Sequence, residues 1–281
     1  MYMAEEIKTD KKLISAETKR ILLETTADII RNYSKELDEI SKSDKIVIAI
    51  ESNVAQSVEN YQEFTSSIGD VTLDGMDNSR FFDFSNLNNL SKYRMLIGFL
   101  NLDFAVASRI YLKAQFQYEE IFSIRQLYVI ANEGYKRIFN FGSCRKKSMW
   151  VAEIGRIIDN DFPELKLKHE AIISRLEEYE PTISPFRDIR DLSVHYDTEP
   201  IKVYNMMIEL NTEKAFQEIK PFMSIINDMY SFINVLHEMV LEQIIAGNLK
   251  FTRVFANINQ QVEEYKNKMI DSSGNEGLIE V

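Results

Sequence analysis

The stretch Met95-Leu-Ile-Gly-Phe-Leu-Asn-Leu-Asp-Phe-Ala-Val-Ala-Ser-Arg-Ile-Tyr-Leu-Lys113 decides the fold class. It lies inside a segment, Asn88 to Phe141, that is densely apolar and free of proline. That is too long for one globular helix, so the reading divides it near Lys113 to Gln117 into two long antiparallel helices, 88–113 and 116–141. Working outward, nine glycines and five prolines in 281 residues leave little material for the turns of a many-stranded β fold. The expected fold is all-α, a helical bundle with an N-terminal helical extension over 1–85, the bundle over 86–250 and a polar tail over 251–281.

Toward the N-terminus, residues 11–42 place Ile14, Ile21, Leu22, Thr25, Ile29, Ile30, Tyr33, Leu37 and Ile40 at spacings of three and four. Ile46 to Ile50 is β-branched enough for a short strand, but Val54, Val58, Tyr61 and Phe64 continue at helical spacing, which favours a helix over 46–67. Gly69 to Ser85 reads as a structured loop. Toward the C-terminus, a short helix over 147–159 surrounds Trp150, Ile154 and Ile158. Asp161-Phe-Pro163-Glu164 reads as a capping box opening a helix to Glu180. Ser184-Pro185 reads as an N-cap and first-turn proline for the helix after it. Helices are expected over 199–210 and 212–220, with a break at Pro221, and a last one over 222–246 ended by Gly247.

The 45% hydrophobic and 27% charged composition is that of an ordinary globular protein. No uninterrupted apolar run approaches the roughly 18 to 20 residues that span a bilayer. The acidic start, Met1-Tyr-Met-Ala-Glu-Glu, lacks the basic and apolar regions of a secretory signal. One cysteine, Cys144, can form neither an internal disulfide nor a cysteine zinc site. The expected location is a reducing cytoplasm, away from membranes. A net charge of −11 opposes indiscriminate nucleic-acid binding, so any RNA contact must be concentrated in a small basic site.

The chemistry gathers in Arg187-Asp-Ile-Arg-Asp-Leu-Ser-Val-His195-Tyr-Asp197. A guanidinium suits bidentate contact with phosphate oxygens. A histidine near its ordinary pKa of about 6.5 can take a proton from a ribose 2′-hydroxyl. Five helical steps of about 100° leave Arg190 and His195 about 140° apart around the helix. The motif therefore makes best sense as half of a site completed by a second subunit.

Arg190, the polar Asp191 and His195 resemble the signature of the HEPN superfamily, an arginine, a polar residue, a few more positions and then histidine. That superfamily comprises helical-bundle proteins of prokaryotic defence and toxin systems and of some eukaryotic RNases, and the chain looks most like its larger, stand-alone bacterial members. The resemblance implies a bundle of four to five helices that dimerises and brings two motifs into one cleft. It also implies metal-independent endoribonuclease activity leaving 2′,3′-cyclic phosphates, without a cofactor, and a protein antitoxin or regulator as a further partner. Tyr196 follows the histidine directly, unlike the tyrosine two positions further on in some toxin subfamilies. Active members often add a polar or acidic residue from a neighbouring helix, and Glu133, beside a glycine that permits close approach, is the candidate here. In this reading His195 is the general base, Arg190 steadies the phosphate, Asp191 orients the arginine and Ser193 lends a hydrogen bond. Arg187 and Tyr196 are substrate-binding candidates.

The competing reading is a non-catalytic, dimeric helical interaction module whose arginine and histidine only stabilise the bundle, and the acidic balance favours it. Among the other polar residues, His169 reads as solvated because it follows Lys166 and Lys168, and His237 as a satisfied interior or interface histidine. Arg145-Lys146-Lys147 reads as a solvated basic run. Asp159 and Asp161 have no histidines to complete a metal site, and no phosphate-binding glycine loop is present.

Overall fold

A computed structural model describes residues 16–68, 84–194 and 200–274. The loop expected over 69–85 lies outside them except for its last two residues, as do His195, Tyr196 and the start of the helix expected at 11. Among the described residues the chain is helical throughout and contains no strand. Helix α1 is Ala16–Ile68, α2 is Ser85–Lys113 and α3 is Gln117–Ile138. A 3₁₀ turn, Gly142–Lys147, leads into a π-helical turn, Met149–Ile154, and then α4, Gly155–Asp161. A second 3₁₀ turn, Pro163–Leu165, precedes α5, Lys166–Ile183. The last three helices are α6, Phe186–Val194, α7, Pro200–Glu209, and α8, Thr212–Gly274.

The break at 113–117 falls where the sequence places it. Glu119 supplies the physical stop, because its Oε2 accepts from the backbone N–H groups of Gln115 at 2.6 Å and Phe116 at 3.2 Å and satisfies donors that the new helix leaves open. Ile46 to Ile50 is helical, within an α1 that runs through the expected gap at 43–45. Other helix ends differ from the sequence reading. Asp161 ends α4 rather than capping α5, and no side chain caps the turn at Pro163. Ser184 has helical backbone angles and its Oγ donates back to the Glu180 carbonyl at 2.8 Å, so it closes α5 and does not cap α6. Pro221 lies inside α8, where a proline ring removes one ladder hydrogen bond. The carbonyl that loses its helical N–H is that of Gln217, and the next one, of Glu218, accepts from Tyr179 Oη at 2.8 Å. Flanking Ile219, Phe222, Ile225 and Ile226 are buried and hold the helix on course. The helix also continues past Gly247.

By contacts the chain forms two compact units, Met1–Ser41 with Tyr93–Ile233, and Lys42–Lys92 with Asn234–Val281. In the first, Asn101 Nδ2 donates to Tyr33 Oη at 3.1 Å, and Tyr33 Oη donates to the exposed Asn227 Oδ1 at 3.2 Å, which ties α1, α2 and α8 together through the buried Tyr33 and Asn101. Its core includes Phe104, Leu127, Tyr135, Trp150, Leu176 and Phe222, all essentially inaccessible to solvent. In the second unit, Leu87, Leu90, Leu236 and Val240 are buried, and Ser91 Oγ lies 3.3 Å from His237 Nε2. By length and composition α2 passes the test for a membrane-crossing helix, yet half of its most apolar window is buried inside the protein, as in a bundle core.

His169 is not solvated. It is 5% exposed, its Nε2 donates to the Trp150 carbonyl at 2.9 Å, and its ring lies 5.4 Å from that of Trp150 and 6.2 Å from that of Phe232. Burial pushes the imidazole pKa down, and the hydrogen bond to the carbonyl with the nearby charges of Asp159 and Glu170 only partly opposes that.

Candidate functional site

Helices α3 and α6 carry the candidate site. The two helices run in the same direction where their faces meet. Tyr128 of α3 packs edge-on against Phe186 of α6, with ring centroids 4.4 Å apart, and one turn further Glu133 meets Arg190. The aromatic pair is the anchor that sets the register, since Phe186 is 2% exposed and Tyr128 3%. Neither ring is singled out by the motif. Their signal in the sequence is only the spacing, Tyr128 five residues before Glu133 and Phe186 four before Arg190.

The Arg190 guanidinium donates through Nη2 to Glu133 Oε1 and through Nη1 to Asp191 Oδ1. Its side chain is 19% exposed, against 51% for Glu133 and 43% for Asp191, so the cluster opens to solvent on the carboxylate side. Arg190 Nε is buried without a hydrogen-bond partner, as is Nδ2 of the neighbouring Asn132, which is 2% exposed. Burial opposes the charge on Arg190, but the hydrogen bonds and charges of Glu133 and Asp191 outweigh it and hold its pKa above the ordinary arginine value.

Arg187, 77% exposed, reaches only the edge of this cluster, its Nε 3.9 Å from Asp191 Oδ2. Ser193 is in the last turn of α6, with its side chain outside the described part, and His195 and Tyr196 lie outside the described residues. Gly134 does permit a close approach, but toward α2 rather than toward the motif. A Cβ there would lie 3.0 Å from Leu100 Cδ2. Glu133, one residue and about 100° around the helix, faces α6 instead.

The other candidates are accounted for by local partners. Arg145 bonds Glu177 and Glu180 and lies over the Phe139 ring at 5.1 Å, so the first residue of the basic run is a structural clamp between the 142–147 turn and α5. Asp159 pairs with Lys166 at 2.8 Å. Cys144 is exposed and unbridged. No group of three metal-ligating side chains occurs among the described residues.

Chemically, the cluster is an arginine held in one orientation by carboxylates from two helices. Such an arginine offers a fixed cation to a phosphate that can displace one carboxylate, and otherwise cross-links α3 to α6. Compared with known proteins, the chain matches no protein-family profile, no curated protein and no solved structure.

Proposed function

We propose that this is a HEPN-like protein that binds RNA and cleaves it without a metal ion. The observation that carries the reading is the Glu133–Arg190–Asp191 cluster, in which the motif arginine is held by an acid on a neighbouring helix. His195 takes the proton from a ribose 2′-hydroxyl, the O2′–P bond forms and the P–O5′ bond breaks. A 2′,3′-cyclic phosphate remains, with a 5′-hydroxyl once O5′ gains a proton. Arg190 stabilises the charge that develops on the phosphate oxygens. Glu133 and Asp191 fix its orientation, and Ser193, Arg187 and Tyr196 make further contacts to the RNA. A second subunit completes the cleft, a protein antitoxin or regulator acts on it, and the setting is a cytoplasmic defence or toxin response.

The second reading, a dimeric interaction module without catalysis, is favoured by one observation, that both terminal nitrogens of Arg190 are already bonded to carboxylates. RNA cleavage in EDTA separates the two, with wild type compared against His195→Ala and Arg190→Ala. Product from wild type alone supports the nuclease. Equal product from all three removes these residues from catalysis, and no product from any leaves the interaction module.

A further inference from the structure

We infer that α7 and the first turns of α3 form a docking surface for a basic amphipathic helix of another protein. The inference does not rest on the RNA reading. Helix α7 buries Val203 on one side and shows Ile201, Tyr204 and Ile208 on the other, 74%, 54% and 51% exposed. These three stand at i, i+3 and i+7, one continuous stripe. A helix that only covered a core would keep such a stripe inside. Alongside, the start of α3 exposes Phe116, Tyr118 and Phe122 at 68%, 59% and 53%.

The two sets belong to one surface, because the elements that carry them are fastened together at this point. Arg125, one turn after Phe122, donates to Met207 Sδ at 3.8 Å, and Met207 immediately precedes Ile208. Thr212, just after α7, donates to Glu120 Oε2 at 3.2 Å, one turn after Phe116 and two residues before Phe122. A clustered set of large apolar side chains on an otherwise charged surface marks an interaction site.

Charge selects the occupant. Glu119 and Glu120 in the first turn of α3, Glu209 at the end of α7 and Glu213 in the first turn of α8 give the surface an acidic border. Three of the cations on the same stretch are engaged within the chain. Arg125 reaches Met207, Lys202 has a partner of its own, and Lys214 lies 3.6 Å from Glu218. The complement is a helix with apolar residues at i, i+3 or i+4, and i+7, flanked by Lys or Arg. A second copy of this chain would set the same acidic border against itself across a two-fold axis, at a net charge of −11 per chain. A nucleic acid would bring more negative charge to that border.

The test uses the full chain and fluorescence anisotropy with three labelled peptides: a Leu/Lys helix with leucines at i, i+3, i+4 and i+7, a Leu/Glu helix of the same pattern, and a Leu/Lys peptide of scrambled order. The expected result is binding of the patterned Leu/Lys helix alone, with Kd on the order of micromolar. The double variant Tyr204→Ser, Ile208→Ser should weaken it by about tenfold or more with helical content unchanged. Equal binding of the scrambled peptide, or an affinity that the double variant leaves unchanged, overturns the proposal. So does self-association of the wild type that the double variant abolishes in sedimentation, or affinity for a single-stranded RNA oligonucleotide that depends on the same two residues.

Discussion

Glu133 and Arg190 are 57 positions apart in sequence, and their bond is one between side chains of unequal exposure. Because Glu133 is half-exposed, its contribution to stability is small, about 1 kcal/mol or less. Its effect on the position of Arg190 is larger. Glu133→Gln should therefore leave the thermal midpoint nearly unchanged and, on the proposed nuclease reading, lower RNA cleavage by about tenfold or more, since a misplaced catalytic group can cost up to about 10²-fold. Cleavage at the wild-type rate would make the bond structural only. The motif and its acidic partner were legible in the sequence as residue types, but their meeting depends on which face of α3 turns to α6, and that is settled by the Tyr128–Phe186 contact. His169 shows the opposite case. The lysines at 166 and 168 suggest solvent, whereas Ile172, Leu176, Tyr179 and Ile183 follow His169 at three-and-four spacing and all are buried. That stripe was readable, and it outweighs the neighbours in sequence. Because the buried imidazole has a depressed pKa, the folded state resists a proton that the unfolded chain accepts at about 6.5. Stability is then full above about pH 6.5 and falls as the pH drops toward the lower folded value. Chemical denaturation across this range should show the loss, and His169→Phe should flatten it.

Among the elements, the long apolar stretches declare themselves through periodicity, and the places where the sequence reading stops too early are those where packing overrides a local breaker. Pro221 is one. Alanine there restores an N–H to the ladder and removes a residue that disfavours helix interiors by up to about 3 kcal/mol. Pro221→Ala should stabilise the fold by about 1 kcal/mol or more, read from a raised denaturation midpoint. Tyr179→Phe removes the hydroxyl that donates to the Glu218 carbonyl and should cost about 1 kcal/mol, read from the shift in denaturant midpoint. Gly134 permits the close approach of α2 to α3. A branched side chain would overlap Leu100, so Gly134→Val should destabilise by about 1–3 kcal/mol despite the better-ordered backbone. The ends at Asp161 and Ser184 could not be read, because cap residues have the same identity whether they bond forward or back. In Ser184 the hydroxyl bonds back.

For the whole molecule, the all-α class follows from composition and period alone, whereas the two compact units each combine segments distant in sequence, which a linear reading does not anticipate. Non-local closure of that kind slows folding relative to a bundle built from neighbours, because loop entropy is lost before the contacts form. Removing the centre of the first unit's core with Trp150→Ala should cost about 3–5 kcal/mol, read from the shift in denaturant midpoint. The chain has one tryptophan, and it lies fully buried against the ring of His169. Its emission is thus a private optical channel for the Tyr93–Ile233 unit, silent about the other, while circular dichroism sums the helices of both. Acid titration should perturb that emission as the imidazole charges, and the chain carries its own pH-sensitive fluorophore without a label.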